Sequence, residues 1–420
     1  MTPSRGSARD GSIPVSYGAG MLENVRVLDL TQYLSGPSCT LLMAGLGADV
    51  IKVEPGPVGD LSRLLPVVKD GHSSYYVQQN RGKRSVCVDL DRPEGHQIVR
   101  ELAMECDVLV ENFGLGVLEK RGLGPDALRA ANPGLIYVSI SAYGRTGSKA
   151  HLPGYDLIGQ AVGGTVALTG DPDGPPIAAG APIADMSAGI MAFGAIGHAL
   201  FARTSTGEGQ FIDVSMVESV FQMHPFAIQG PSVTNGKARL KRTGRHFGAV
   251  PPAGTYRGPD GWLVLQVLDA QWPRLCAAAA AIQLGEDVRF NSPKGRADHR
   301  HELVDVIEAW MQTFSSNEEL LALFEAHRVP AAPVVDPADA HADPWFRERG
   351  AVTEVIDPYL GPITVPGFPL HMSAVPDRAV EPLAPTLGQH NAEVLADLLS
   401  YDVDRIAQLT DLGVLQAQQL

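Results

Sequence analysis

Five short aliphatic runs, rich in β-branched residues, punctuate the first third of the chain: VRVLDL (25–30), ADVIKVE (48–54), SVCVDL (85–90), DVLVENF (107–113) and LIYVSIS (135–141). Their near-continuous apolar character predicts strands buried on both faces rather than strands with one wet side. Between them, CTLLMAGLG and EGHQIVRELAMEC carry a helical pattern. Strands that alternate with helices must be joined by crossovers, so the layout is α/β, a Rossmann-like large domain built on a mostly parallel sheet.

A dinucleotide fingerprint is not part of it. GLGADV (45–50) ends a helix and begins a strand, the reverse of the required order. GLGVLE (114–119) follows a strand, yet Glu119 stands where the third glycine belongs. The turn at 113–116 still offers backbone N–H groups to a phosphate.

The remainder divides by composition. Residues 1–20 are small and polar and predict a flexible tail, with the large domain spanning 21–224. A smaller α/β domain over 225–335 contains the strand GWLVLQVL and the helices HRHELVDVIEAWMQTF and NEELLALFEAH. Residues 336–420 form a Pro-rich extended linker and a helical C-terminal segment suited to returning to the large domain. The net charge of −14 excludes a general nucleic-acid surface, which needs a basic stripe. Cys39, Cys87, Cys106 and Cys276 are scattered without CxxC pairing, as expected of reduced thiols in a cytoplasmic protein. The apolar stretch from Met186 to Ala202 contains His198 and several glycines, too interrupted for an expected membrane span.

Asp185 opens that stretch in GAPIADMSAGI. It reads either as a helix cap or as a nucleophile, since the Ala, Gly and Ser around it leave room for a substrate. A helix N-terminus would also keep the carboxylate ionised and lower its pKa. Ser187 sits in DMSAG, one glycine short of a nucleophile elbow, and reads more simply as a first-turn serine. His198 reads as a buried histidine with one satisfied nitrogen. His299 and His301 lack a third ligand at useful spacing, so no metal site is expected.

Several segments, taken in order, resemble one family. They are VRVLDLTQYLSGPSCTLLMAGLGADVIKVEPGPVGDLSR, NRGKRSVCVDL, DVLVENFGLGVLEKRGLG, NPGLIYVSISAYGRTG, PGYDLIGQAVGG and GAPIADMSAG…TGEGQFIDVSM. The resemblance is to the class III CoA-transferases, which include formyl-CoA transferase, the carnitine CoA-transferases and the α-methylacyl-CoA racemases. It runs from residue 22 to 220 and resumes in ELVDVIEAWMQTFSSNEELLALFEAHRVPAAPV and LGQHNAEVLADLL.

The resemblance implies that Asp185 is the catalytic aspartate of an acyl-CoA:carboxylate CoA-transferase, working through a mixed anhydride and an aspartyl-CoA thioester. It implies no permanently bound cofactor, with coenzyme A and acyl-CoA as substrates. CoA-binding positions carry over to Leu34, Ser35, Val88, Asn112, Phe113, Gly114, Lys120, Arg121, Ser141 and Tyr143. It also implies a homodimer of interlocked ring-like chains. Leu34 replaces a glutamine of the formyl-CoA transferases, which disfavours oxalate or formate. TGRHFGAVPPAGTY lacks their run of four glycines, which leaves a lid without its usual hinge. Tyr155 replaces the histidine of the racemases, which favours transfer over racemisation. Tyr155, Arg242, Arg245 and His246 are candidates to hold the substrate, the arginines by gripping the distal carboxylate of a dicarboxylic acid. An inactive acyl-CoA-binding protein, with Asp185 as a cap, is the non-enzymatic alternative.

Overall fold

The computed structural model describes residues 20–247, 251–373 and 383–418. The expected tail over 1–20 lies outside the described residues, apart from Gly20, and so do residues 248–250 of the expected lid region. All five predicted strands form: β1 (Arg26–Leu30), β2 (Asp49–Pro55), β3 (Arg84–Val88), β4 (Val108–Glu111) and β5 (Ile136–Ser141). A sixth, β6 (Phe211–Ser215), completes a sheet in the order β3-β2-β1-β4-β5-β6, parallel throughout. The strand order reverses between β1 and β4, and ligands of such sheets bind at that switch point, beyond the carboxyl ends of the strands.

The strands are apolar because both faces are covered. Val27, Leu28, Ile51, Val86, Leu109 and Val138 are fully buried. Helix Ser35–Gly45 follows β1 and starts four residues before the predicted segment, with Gly36 and Pro37 in its first turn. Pro93 opens the helix Pro93–Met104, its fixed φ already helical. The GLGVLE turn leads into one 3₁₀ turn at Glu119–Arg121 rather than a helix that could seat a phosphate.

The chain divides into two compact units. The first holds the chain up to Asp156, then Ala184–Ser219 and Pro344 onward; the second holds Leu157–Ile183 and Val220–Asp343. Of the expected large domain over 21–224, Leu157–Ile183 and the residues from Val220 onward group with the second unit. Within the second unit, Gln160 Nε2 donates to Ala181 O at 3.2 Å and His224 Nε2 lies 2.9 Å from Gly163 O. These hydrogen bonds tie Leu157–Ile183 to itself and to the later chain. The antiparallel sheet of this unit orders β9 (Ala331–Pro333), β8 (Trp262–Gln266) and β7 (Ala253–Arg257). Helices Arg300–Met311 and Asn317–Ala326 pack beside it through Leu303, Ile307, Trp310, Leu320 and Phe324.

The segment expected to be extended contains a hairpin, β10 (Val352–Asp357) and β11 (Gly361–Pro366). The C-terminal helix Asn391–Leu399 packs beside β3 at the edge of the large sheet, and Val403–Asp411 packs against that helix. Ser85 N–H donates to His390 Nδ1 at 3.1 Å and Cys87 N–H to Asn391 Oδ1 at 2.9 Å. These side chains satisfy edge groups that would otherwise invite another strand.

Ile183–Thr206 is, among the described residues, a helix long and apolar enough to cross a membrane by length and composition. Here Ala184, Ala188, Ala192, Ile196 and Ala199 are buried along one face. Gly189 is what lets this helix approach Ser35–Gly45: a Cβ there would fall on Ser38 Oγ and 2.6 Å from Ser35 O. Gly189→Ala should lower stability by about 1–3 kcal/mol through overpacking, read as an earlier urea midpoint with an unchanged slope.

Candidate active site

The loops at the switch point rest on buried charges. Asp29 in β1 and Lys52 in β2 are register partners, and both are fully buried. Lys83 Nζ lies 2.9 Å from Asp29 Oδ2, and Lys52 Nζ lies 2.9 Å from Asp60 Oδ2 with neither pair exposed. Burial opposes ionisation of Asp29, yet Lys52, Lys83 and the hydroxyls of Thr31 and Thr40 hold it well below the usual carboxylate range. Burial pushes Lys83 down to about 8 against the attraction of Asp29.

These ions hold the turn after β1. Asp29 Oδ1 accepts from Thr31 N at 2.9 Å, and Lys52 Nζ donates to Thr31 O at 2.8 Å. Asp60 Oδ1 accepts from Tyr33 N at 3.0 Å. Tyr33 has φ +63°, a left-handed conformation that a bulky side chain adopts at a cost. Asn112, after β4, clamps the turn from the other side. Its Oδ1 accepts from Gln32 N at 2.8 Å, and its Nδ2 donates to Gln32 O at 2.7 Å and toward Ser35 Oγ at 3.4 Å.

Above the clamp opens a cavity of ≈ 430 Å³ whose lining includes Tyr33, Ser35, Asn112, Phe113, Ser141 and Asp185. Asp185 is half-buried in the first turn of Ile183–Thr206. It is not the residue that satisfies that turn. Asp156 Oδ1 accepts from Ala184 N at 2.8 Å and from Asp185 N at 3.2 Å. Asp156 takes the capping role, so the Asp185 side chain is available to the cavity. Burial, and then the neighbouring Asp156, push the Asp185 carboxyl up to about 7, against a hydrogen bond from Ser35. The expected lowering of its pKa is thus corrected: the charge of Asp156 and loss of water outweigh the helix terminus.

Of the expected CoA positions, Ser35, Asn112, Phe113, Gly114 and Ser141 line the cavity with Asp185, and so does Tyr155. Ser141 Oγ is buried with no hydrogen-bond partner among the described residues. Leu34 is buried at the start of Ser35–Gly45 and is not among the lining residues. Val88 is a core residue at the end of β3, bridged to Leu415. Arg121 lines a second hollow of ≈ 260 Å³ that shares Gln32 and Phe113 with the first. Its guanidinium donates to Leu90 O at 2.8 Å, Val117 O at 3.0 Å and Asp91 Oδ1 at 2.8 Å. Lys120 is exposed, and Tyr143 is half-buried with Lys149 Nζ 5.8 Å from its ring centre.

Arg242, Arg245 and His246 lie in the second unit. Arg242 donates to Asp171 O at 3.1 Å and Gly174 O at 3.0 Å. Arg245 pairs with both carboxylate oxygens of Glu308 and stacks over Trp262. His246 packs edge-on against Tyr256, and burial followed by the Arg245 charge lowers its pKa. Within the second unit, nearby carbonyls hold Arg242 and Glu308 holds Arg245.

Other readings resolve locally. Ser187 is buried and its hydroxyl donates to Ala184 O at 3.1 Å. His198, expected to be buried, is exposed, with Nδ1 2.7 Å from Gly194 O one helical turn back. His299 pairs with Glu302 at 3.2 Å. Sequence reasoning missed the meeting of Ser35 and Asp185 in one cavity, the cap supplied by Asp156 and the presence of Tyr33 in the cavity. The first two join residues distant in sequence, and the third depends on an unusual φ that Tyr does not advertise.

The model of CoA-transferase family III matches residues 22–391. The succinyl-CoA:glutarate CoA-transferase of Mus musculus is 34% identical, over 95% of this chain and 91% of its own. The succinyl-CoA–D-citramalate CoA-transferase of Chloroflexus aurantiacus is 37% identical, over 95% of this chain and 98% of its own. A crystal structure of a CAIB/BAIF family protein from Brucella suis superposes with a TM-score of 0.80 at 33% identity, covering 90% of this chain and 100% of that one.

An Asp185 carboxyl near 7 makes two measurable differences. Activity that needs the carboxylate should rise with pH to a plateau, with its midpoint at about 7, and Ser35→Ala should move the midpoint upward by removing the hydrogen bond that favours the ion. Because the folded-state pKa lies above the unfolded one, stability present below about pH 4 is lost as pH rises through 7. Asp185→Asn should therefore be more stable than the natural chain at pH 8, by about 2 kcal/mol after allowing for partial exposure, and equal to it near pH 3, as measured by urea unfolding.

Proposed function

Since this chain belongs to CoA-transferase family III, we propose that it moves coenzyme A from an acyl-CoA to a dicarboxylic acid, with Asp185 as the covalent nucleophile. One observation carries the reading: a half-buried carboxylate, freed from capping by Asp156 and raised to about 7, faces a cavity at the switch point of a parallel sheet. Relatives named for succinyl-CoA, glutarate, citramalate and mesaconate support a dicarboxylic substrate class.

The chemistry follows from the state of Asp185. Its carboxylate attacks the thioester carbonyl, the C–S bond breaks, and the CoA thiolate leaves a mixed anhydride. The thiolate then attacks the aspartyl carbonyl and releases the first acid, giving an aspartyl-CoA thioester. An incoming carboxylate attacks that thioester and frees the thiolate, which attacks the new acyl carbonyl to form the product acyl-CoA and restore Asp185. Raised basicity makes Asp185 a stronger nucleophile than a solvated carboxylate. Acylation also removes the negative charge that burial and Asp156 disfavour, which favours the covalent states. The unpartnered hydroxyl of Ser141 is suited to donate to a developing oxyanion or to a carbonyl of the bound thioester.

In this reading the CoA chain runs past Asn112, Phe113 and Gly114 toward the hollow at Arg121, with Lys120 at its phosphates and Tyr143 nearby. We infer a homodimer, supported by exposed Ile190, Met191 and Phe201 along Ile183–Thr206, a face that a second copy would cover. A cytoplasmic location fits the free cysteines, of which Cys39, Cys87 and Cys106 are buried.

Incubation with succinyl-CoA should give a mass adduct on the intact chain that hydroxylamine removes. Asp185→Asn should give no adduct and a kcat lower by at least about a thousandfold. An adduct retained in Asp185→Asn would remove Asp185 as nucleophile, and α-deuterium uptake without transfer would indicate racemisation instead.

A further inference from the structure

A dicarboxylic acyl group presents a far carboxylate that needs a hydrogen-bond donor to receive it. Among the described residues of the first unit, no lysine or arginine lines the cavity of Asp185; its polar lining groups include Tyr33, Tyr155 and the exposed His151. The two tyrosine rings meet edge-on, with centroids 5.8 Å apart, and both line the cavity that Asp185 faces. Each phenol carries one O–H proton that it can donate to a ligand.

The fold invests in this arrangement. Tyr33 occupies φ +63°, a region that glycine or asparagine enters far more readily. Its backbone N–H is held by buried Asp60, which Lys52 neutralises, while Asn112 locks the preceding Gln32 on both its backbone groups. Strain fixed by a buried ion pair beside a nucleophile is characteristic of a functional side chain.

We propose that the Tyr33–Tyr155 phenol pair determines acyl specificity by donating a hydrogen bond to the distal carboxylate of a dicarboxylic acyl group. This rests on the transferase reading above. Phenol to carboxylate is a charge-assisted hydrogen bond, and it needs no cation beside Asp185.

The test compares acceptors matched in length, glutarate and pentanoate, with succinyl-CoA as donor. In a ping-pong reaction kcat/KM for the acceptor does not depend on the donor half, so the comparison isolates recognition of the acceptor. Tyr155→Phe and Tyr33→Phe keep both rings and the packing between them. Each should lower kcat/KM for glutarate by about 10- to 100-fold, the range for a hydrogen bond to a charged group, while pentanoate changes by less than about twofold. Equal losses for both acids, or no loss for glutarate, would overturn the proposal. It also falls if the unmodified chain does not prefer glutarate to pentanoate, and the Asp185 adduct then shows separately whether the transferase reading stands.

Discussion

The arrangement depends on two ion pairs buried under the carboxyl end of the sheet. Lysines at 52 and 83 and aspartates at 29 and 60 have lost their water, and removing one partner of such a pair strands the other charge at a cost of several kcal/mol. Ion pairs of this kind are poor sources of stability compared with apolar packing. What they supply here is position. Each carboxylate also accepts a backbone N–H of the turn after β1, so the same charges that must find one another also fix Thr31 and Tyr33. The turn then delivers Ser35 to Asp185 and Tyr33 to the cavity.

A second division of labour lies between two aspartates. A single carboxylate at a helix start accepts backbone N–H groups and is held ionised, which makes it a good cap and a weak nucleophile. Asp156 takes the N–H groups of Ala184 and Asp185, and its own charge raises the basicity of Asp185. Capping and raised basicity fall on different residues of the same helix terminus. Gly189, one turn further on, lets the terminus sit close enough to Ser35–Gly45 for the Ser35 hydroxyl to reach it.

The strands were readable because burial on both faces leaves a dense run of Val, Ile and Leu, a signal contained within each segment. Asp185 stood out for a similar local reason, the small residues around it. The charges inside β1 and β2 were not readable in this way, because Asp29 and Lys52 become neighbours through sheet register alone. Arg245 looked free for a substrate, but its partner Glu308 lies 63 residues further on. The raised basicity of Asp185 likewise depends on Asp156, 29 residues earlier. Local pattern reports what a residue is, and long-range pairing decides whether its charge is available. The resemblance to a family pointed to Asp185 without disclosing its electrostatics.

A cavity without lysine or arginine among the described residues of its unit fits the same electrostatics. A guanidinium or ammonium within a few ångströms of Asp185 would favour its ionised form, returning it toward an ordinary carboxylate and weakening its attack. It would also hold an anionic acid tightly in both directions of a reaction that must bind one acid and release another. Phenol hydroxyls recognise a carboxylate through a directed hydrogen bond while adding no charge. A neutral recognition pair and a basic nucleophile are therefore compatible in one cavity, where a cation and such a nucleophile would work against each other. The net charge of −14 does not oppose this, since screening confines the influence of distant surface charges to roughly a Debye length, about 8 Å at physiological salt.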